Sequence, residues 1–365
     1  MTAPIMIMAG GTGGHIFPAL AVAEWLREHG ASVVWLGSQG GMETRLVPAR
    51  GFPMVEISVG GLRGKGAMTL LKAPFKLLLA VWQSIRAQRR HRPRAVLGLG
   101  GFASGPGGLA AWLLRTPLYV HEQNAIPGLT NRLLARLARV VMQAFPGSFR
   151  DGGALTVGNP VRASLRALPD PGERLKGREG PIRILILGGS LGALKLNQVV
   201  PETLAGMARP LDIWHQCGAR HQEDTARRYR ELGLEARTEA FIEDMAEAWG
   251  WADLAVCRAG ALTISEIAQV GVASVLVPYP HAVDDHQTAN AMNLVNRDAA
   301  LLIPDAELSA ERLAGALAGL LEDRGRLLRM AEAATALRHP EAAAVVARLC
   351  LGELTPDTLA SGGLS

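Results

Sequence analysis

His15 closes the run Ala9-Gly10-Gly11-Thr12-Gly13-Gly14-His15, which sets four glycines and an ionisable ring between a short apolar segment and a helical one. A glycine turn that feeds a helix lets the backbone approach a ligand closely, and the unbonded N–H groups of the first helical turn favour an anion. Such a site suits a phosphate, or negative charge that develops during a reaction. A histidine there is kept neutral by the positive end of the helix dipole and is competent as a general base; the alternative is a histidine that only orders the turn. The device recurs at "GGSLGA", beginning at Gly188, after the apolar run Ile182–Leu187. Further glycine turns lie at "GGFASGPGG", from Gly100, and "CRAGALTISE", from Cys257. In the last, Thr263-Ile264-Ser265-Glu266 fits a helix capping box, so Glu266 either bonds a cap amide or accepts hydrogen bonds from ribose hydroxyls. Packing alone explains one such turn as well as function does. Two equivalent turns favour a ligand.

The turns are not those of a dinucleotide fold. Gly11-Thr12-Gly13-Gly14-His15-Ile16 lacks the third glycine of G-x-G-x-x-G, the second strand "SVVWLGSQG" ends without Asp or Glu, and there is no Walker A sequence.

The elements that must carry these turns follow from periodicity. Short apolar runs at Ile5–Met8, Ser32–Leu36, Ala95–Leu99, Leu118–Val120 and Val140–Met142 alternate with amphipathic segments, and the pattern repeats at Ile182–Leu187, Ile213–Gln216, Leu254–Cys257, Ser274–Val277 and Ala300–Ile303. Buried parallel strands alternating with helices predict an α/β protein of two doubly wound, Rossmann-like domains. The proline-, glycine- and charge-rich stretch Val157–Arg183 marks the junction, giving domains at 1–161 and 162–351, the second with C-terminal helices, and a flexible tail at 352–365. The 365 residues suffice for two cores, and 48% hydrophobic with 19% charged residues is ordinary globular composition. Three widely spaced cysteines suit a reducing compartment and no structural zinc. The start lacks the pattern of a signal peptide, and no stretch approaches the roughly 18 apolar residues of a membrane span. A net charge of +5 permits an anionic partner without choosing one. Nucleic acid is disfavoured by an aromatic content of only 5% and the lack of a basic-aromatic platform.

One helix is unusual. Within Lys65–Arg94, Leu71, Phe75, Leu78, Leu79 and Trp82 stand close to helical spacing, with Lys72, Lys76, Arg86, Arg89, Arg90, Arg92 and Arg94 around or after them. Most such helices face a core, but this one is apolar on more than one face. One face can dock on the sheet while another meets an anionic lipid surface.

In order and spacing, "GGTGGHIFPALA", "GGFASGPGG", "HEQNAIPGLTNR", "VGNPVR", "GGSLGA", "FIEDMAEAWGWADL", "CRAGALTISE" and "PYPHAVDDHQTANA" resemble the MurG family of bacterial peptidoglycan N-acetylglucosaminyltransferases, up to about Arg348. The resemblance implies a GT-B fold, two Rossmann-like domains facing a cleft, with UDP-N-acetylglucosamine as donor and undecaprenyl-diphospho-muramoyl-pentapeptide (lipid I) as acceptor. It implies donor contacts by Thr12, Gly13, Gly14, Asn124 and Arg162, by Ser190 on the diphosphate and by the Ile242 backbone on uracil. Ala261, Leu262, Thr263, Ile264, Ser265 and Glu266 are implied around the phosphates and ribose, and Gln287 with Asn290 at the sugar hydroxyls. Leu191 departs from the polar residue many relatives carry. Implied partners are the cytoplasmic leaflet, where the protein is expected as a peripheral enzyme, and other cell-wall synthesis proteins.

No cofactor or metal is expected. The chain has no D-x-D pair, and helix N-termini at Gly189-Ser190 and Ala261-Leu262, with Arg162, can stabilise the departing diphosphate. His15 and Glu122 remain rival candidates for the base, Glu122 alternatively orienting it. Rival activities are another GT-B UDP-sugar enzyme, such as a diacylglycerol glycosyltransferase or a UDP-N-acetylglucosamine 2-epimerase, and a non-catalytic nucleotide-sugar binder.

Overall fold

A computed structural model describes residues 3–60, 73–150, 152–189, 192–280 and 285–360. The chain forms two compact units: the described residues up to Arg162 with those from His339 onward, and residues 163–338.

The first unit runs β1 (Ile5–Ala9), α1 (Gly13–Glu28), β2 (Val33–Ser38), α2 (Glu43–Ala49), β3 (Met54–Ile57), α3 (Ala73–His91), β4 (Ala95–Gly100), α4 (Ser104–Leu113), β5 (Leu118–Glu122), α5 (Leu129–Ala135), β6 (Val140–Gln143) and β7 (Leu155–Thr156). Its sheet has the order β3-β2-β1-β4-β5-β6-β7, all pairs parallel. The second unit runs α6 (Ala163–Arg166), α7 (Pro171–Arg174), β8 (Ile182–Leu187), α8 (Leu194–Ala205), β9 (Leu211–Gln216), α9 (Gln222–Glu231), β10 (Arg237–Glu239), α10 (Met245–Trp251), β11 (Leu254–Cys257), α11 (Ala261–Val270), β12 (Ala273–Leu276), α12 (His286–Val295), β13 (Ala300–Leu302), α13 (Ala310–Leu321) and α14 (Arg324–Thr335). The sheet order is β10-β9-β8-β11-β12-β13, again parallel. Strands such as Ile5–Ala9 and Leu254–Cys257 are buried along their whole length, as continuous apolar runs covered on both faces must be. Strand order reverses between β1 and β4 in one sheet and between β8 and β11 in the other. In open α/β sheets that switch point, at the carboxyl ends of the strands, is where ligands bind.

The expected organisation needs correction at several points. The C-terminal helices are not all part of the second domain: α15 (Ala342–Leu351) packs in the core of the first unit. There Val345, Val346, Leu349 and Cys350 share a cluster with Ile16, Leu20 and Leu97. Burying that apolar face is what brings the chain back, and the tail continues as α16 (Pro356–Ala360) rather than fraying at once. Arg162, expected to open the second domain, closes the first unit. The charged stretch after it is no loose linker either. Arg174 donates to the carbonyls of Ala252, Val270 and Gly271, and Arg178 to those of Gly250 and Trp251 and to Asp253. These guanidinium groups satisfy carbonyls left open at the ends of α10 and α11.

Beneath the switch point of the first sheet lies a buried carboxylate. Glu43, the first residue of α2, accepts from the Gly11 N–H at 3.0 Å, from the Ser38 N–H at 3.0 Å and from the Ser38 hydroxyl at 2.5 Å. It fits only because three neighbours lack side chains. A Cβ would stand 2.6 Å from the Glu43 Cδ at Gly10, 2.5 Å from it at Gly41 and 2.8 Å from its Cγ at Gly37. Burial alone would raise the Glu43 carboxyl, but the Ser38 hydroxyl and the Gly11 and Ser38 N–H groups outweigh it and hold it below its ordinary value.

Two stability measurements check these arrangements. Leu349→Ala should cost about 2–4 kcal/mol in chemical denaturation, the range for truncating a fully buried leucine; a loss under about 0.5 kcal/mol, within that of a surface change, would make α15 an appendage. Glu43→Gln places an amide N–H against donors and should cost roughly 1–3 kcal/mol at neutral pH. Because the folded carboxyl lies below 4.5, its contribution is complete above that pH and is lost as the pH falls through the folded value. The gap between wild type and variant should therefore close in acid; a gap that persists unchanged would show that the ionised form is not the one held.

Candidate functional site

The first turn, pinned from below by Glu43, delivers α1 with open amides. Thr12 is its N-cap in extended conformation (φ −136°) and makes no side-chain cap bond. The His15 and Ile16 N–H groups both reach the Thr12 carbonyl at 3.2 Å, while those of Gly13 and Gly14 make no bond among the described residues. His15 stands third in the helix. The turn after β4 closes over it: Gly101 (φ +88°) would place a Cβ 2.5 Å from the Gly10 carbonyl oxygen, and Gly100 (φ +110°) would place one 2.9 Å from the His15 ring. These glycines allow two turns to touch and leave the ring its space, which is the packing reading realised at Gly100 and Gly101. Ser104 locks the arrangement by donating to the Met8 and Gly100 carbonyls at 3.1 and 2.7 Å, and the buried Trp35 indole donates to the Ala9 carbonyl at 2.9 Å.

The end of β5 separates the residues of "HEQN" by strand alternation, which sends neighbours to opposite faces. His121 and Gln123 lie on the His15 side. The His15 Nδ1 is 2.8 Å from the Gln123 Oε1, the Gln123 Nε2 is 3.1 Å from the His121 Nδ1 and 3.0 Å from the His121 carbonyl, and the His121 Nε2 is 2.9 Å from the Gly158 carbonyl. Complete burial pushes His121 down to about 4, against weaker opposing effects of the Gly158 carbonyl and Glu122. Glu122 points the other way. It accepts from the Asn124 N–H and side-chain amide at 2.8 and 3.1 Å, from the Gly128 N–H at 3.0 Å and from the Asn131 amide at 2.9 Å. The expectation that Glu122 rivals His15 as base is corrected on this geometry. Its carboxylate is buried and engaged at both oxygens, folding the loop that carries Asn124. Arg162 lays its guanidinium over the Phe17 ring on α1, 4.3 Å from the centroid.

In the second unit the turn after β8 is held from behind as well. The Gly188 N–H meets the Gln216 carbonyl at 3.1 Å, the Gln216 amide donates to the Gly189 carbonyl at 2.9 Å, and Asn197 donates to the Cys217 carbonyl at 2.9 Å. Ser190 and Leu191 lie outside the described residues. Gly260 caps α11 in extended conformation, and the first bond of that helix is from the Ile264 N–H to the Gly260 carbonyl. Among the described residues nothing accepts from the N–H groups of Ala261, Leu262 and Thr263, which leaves three donors open at the strand ends. The helix thus starts before Thr263, which removes the capping-box reading of Glu266. That carboxylate is buried in the second turn and accepts from the Trp249 indole at 3.1 Å. Thr263 remains in the first turn; Ile264 is buried, and the Ser265 hydroxyl bonds back to the Ala261 carbonyl at 2.9 Å.

Ile242 buries its side chain after β10, while its N–H and carbonyl make no bond among the described residues. Gln287 has a fixed orientation: its Oε1 accepts from the Ala259 and Tyr279 N–H groups at 3.2 and 2.9 Å, so its NH₂ group faces away from both. Asn290 departs from expectation. It is fully buried and donates to the Ala259 carbonyl at 3.3 Å, supporting the turn before α11 instead of presenting itself to a sugar.

The membrane-facing expectation divides along α3. Ala80, Val81, Ser84, Ala87 and Gln88, from its middle onward, are buried, whereas Phe75 (75% exposed), Leu78, Leu79 and Trp82 (56%) are not. Leu71 and Lys72 lie outside the described residues. Sequence reading missed the rest of this surface, Trp112 and Leu113 on α4 and Leu129 and Leu133 on α5, all exposed. Arg94 does not join the cations, because it donates to the Leu351 carbonyl at the end of α15. No described helix is long and apolar enough to cross a membrane, and no group of three or more His, Cys, Asp or Glu among the described residues could hold a metal ion.

Also missed were Glu43, His121, Gln123, Gln216 and Asn197. Only period-two alternation in "YVHEQN" carried a signal, placing His121 and Gln123 on one face.

Comparison with known proteins bears on the family and the fold. Residues 5–143 match the glycosyltransferase family 28 N-terminal domain and residues 183–346 its C-terminal domain. The chain is 56% identical over 356 residues, 97% of its length and 99% of the relative's, to the UDP-N-acetylglucosamine–N-acetylmuramyl-(pentapeptide) pyrophosphoryl-undecaprenol N-acetylglucosamine transferase of Alkalilimnicola ehrlichii. It is 55% identical, over 96% of the chain and 99% of the relative, to the protein of the same name from Nitrosococcus oceani. The crystal structure of Acinetobacter baumannii MurG superposes with a TM-score of 0.84 at 41% identity, covering 96% of this chain and all of that one. The two doubly wound units are those of the GT-B fold, and the chain belongs to the glycosyltransferase family 28 N-acetylglucosaminyltransferases that act on pyrophosphoryl-undecaprenol N-acetylmuramyl-pentapeptide.

Proposed function

We propose that this protein transfers N-acetylglucosamine from UDP-N-acetylglucosamine to the 4-hydroxyl of the muramoyl sugar of lipid I, forming lipid II by a single inverting displacement. What supports the reading is found in each unit by itself: a histidine in the first turn of a helix with open amides, and three open amide donors at the start of α11. One supplies a base for an acceptor hydroxyl; the other supplies positive potential for a departing diphosphate.

In this mechanism His15 takes the acceptor proton as the hydroxyl oxygen attacks the anomeric carbon and the bond to the UDP oxygen breaks. Charge appears on the leaving phosphate, where the N–H groups of Ala261, Leu262 and Thr263 and the positive end of α11 stabilise it, with Ser190 assigned to the same diphosphate. The N–H and carbonyl of Ile242 are matched to the edge of uracil, and Glu266, oriented by Trp249, to the ribose hydroxyls. Gln287 reads the sugar as a donor only, because its oxygen is already engaged. Thr12, Gly13, Gly14, Asn124 and Arg162 complete the donor set. Glu122 and Asn290 act by holding the segments that carry these groups. No step requires a metal ion, so turnover should survive EDTA; a loss that magnesium restores would contradict this.

The protein is a peripheral enzyme of the cytoplasmic leaflet in this reading. Phe75, Leu78, Leu79 and Trp82, with Trp112 and Leu133 on the neighbouring helices, are exposed apolar side chains, and Lys76, Arg86, Arg89 and Arg90 lie on the same helix as the first four. Cations around exposed aromatic and aliphatic side chains suit an anionic interface.

Two measurements test the reading. His15→Ala should lower kcat on the order of 10²-fold or more while UDP-N-acetylglucosamine still binds; a near-normal rate would remove His15 as the base. Vesicles containing phosphatidylglycerol should co-sediment the protein at low salt, less so at high salt, and Phe75→Ser/Trp82→Ser should weaken binding. Absence of co-sedimentation at low salt would sink the membrane assignment.

A further inference from the structure

Each hydrogen-bonded atom in the chain from His15 to Gly158 has a defined role, so the direction of every proton follows. The Gly158 carbonyl can only accept, and therefore the His121 Nε2 carries hydrogen. His121 is fully buried and neutral, which leaves its Nδ1 a bare lone pair. The Gln123 atom facing that lone pair must then be its NH₂ group. The same NH₂ group donates its second hydrogen to the His121 carbonyl, and the reverse orientation would set the amide oxygen against that carbonyl. The Gln123 oxygen is thereby turned to His15, and since it too can only accept, the His15 Nδ1 carries hydrogen.

From this juxtaposition of His15, Gln123, His121 and the Gly158 carbonyl, we infer that Gln123 is a positioning residue that fixes His15 in its Nδ1–H tautomer and leaves the Nε2 lone pair for the acceptor hydroxyl. The inference rests on His15 as the base. It differs from a Ser-His-Asp arrangement in that the group behind the imidazole is a neutral amide, itself oriented by a buried neutral histidine. The packing behind the chain is equally specified. Gly158 (φ +78°) would drive a Cβ into the His339 side chain, so the returning C-terminal segment seats the carbonyl on which the series ends. At the other end the missing side chain of Gly100 gives the His15 ring room to keep its Nδ1 on Gln123.

The test reads the tautomer directly. With ring-¹⁵N histidine, the wild-type protein at neutral pH should show His15, assigned by its absence in His15→Ala, with a protonated Nδ1 and a bare Nε2. Gln123→Met, close in shape but without hydrogen-bonding atoms, should release the ring to the Nε2–H form. It should lower kcat on the order of 10²-fold, as loss of an aligned base does, with UDP-N-acetylglucosamine affinity unchanged. A wild-type His15 protonated at Nε2, or a Gln123→Met enzyme that keeps both the Nδ1–H signature and its rate, overturns the inference. The wild-type spectrum decides the matter even if the variant does not fold. Failure of the base assignment is distinguishable, because it would appear as turnover in His15→Ala whatever tautomer the spectrum shows.

Discussion

The turn that carries His15 depends on a buried carboxylate, Glu43, that pairs with no cation among the described residues. Glu43 can remain ionised inside the protein only because backbone and hydroxyl donors converge on it, and they converge only because Gly10, Gly37 and Gly41 leave it room. Its bond to the Gly11 N–H fixes the turn from which α1 departs. That fixed turn is what Gly101 packs against and what aims His15 across β4 toward β5. A carboxylate used in this way acts as a template: it sets backbone geometry at the place where the chain must leave amides unbonded for a ligand.

The second unit meets the same demand with neutral groups. Gln216 and Asn197, both buried, bond the carbonyls and amides around the turn after β8, and His215 supports Asn197 from behind at 3.1 Å. Burial pushes His215 down to about 3, so this support is uncharged. Both units obey one constraint of parallel sheets. Strand ends at the switch point carry open N–H groups, and those groups stay available only if every neighbouring polar atom is already satisfied. Open N–H groups therefore stand at the start of α1 on one sheet and at the start of α11 on the other.

Much of this was legible in the sequence. The apolar runs marked every central strand of both sheets and the edge strand β13, because strands buried on both faces need unbroken apolar stretches. The strands that escaped, β3, β7 and β10, are short edge strands with half-exposed residues, where no such pattern is required. The glycine turns were legible because few other residues tolerate close backbone approach, and with them the place of His15 at the start of α1. What the sequence could not show is which polar residue faces which neighbour. Glu122 looked like a base because carboxylates near a histidine often are; strand alternation and the demands of the Asn124–Asn131 loop turn it away. Glu43, 28 residues after His15, gave no signal because its partners are two backbone amides and the hydroxyl of one serine, a set that no motif announces. The return of α15 to the first unit was hidden because an alanine- and valine-rich helix fits either core.

The central claim, that the two units share one transfer between a UDP-sugar and a lipid-linked muramoyl acceptor, is tested most directly by the product. Labelled UDP-N-acetylglucosamine and UDP-glucose would be offered in parallel with a lipid I analogue, and the new glycosidic bond assigned by NMR. The account predicts a β-1,4 linkage formed from the N-acetylglucosamine donor alone. An α linkage, release of free or epimerised sugar without transfer, or tight UDP binding with no product would contradict it.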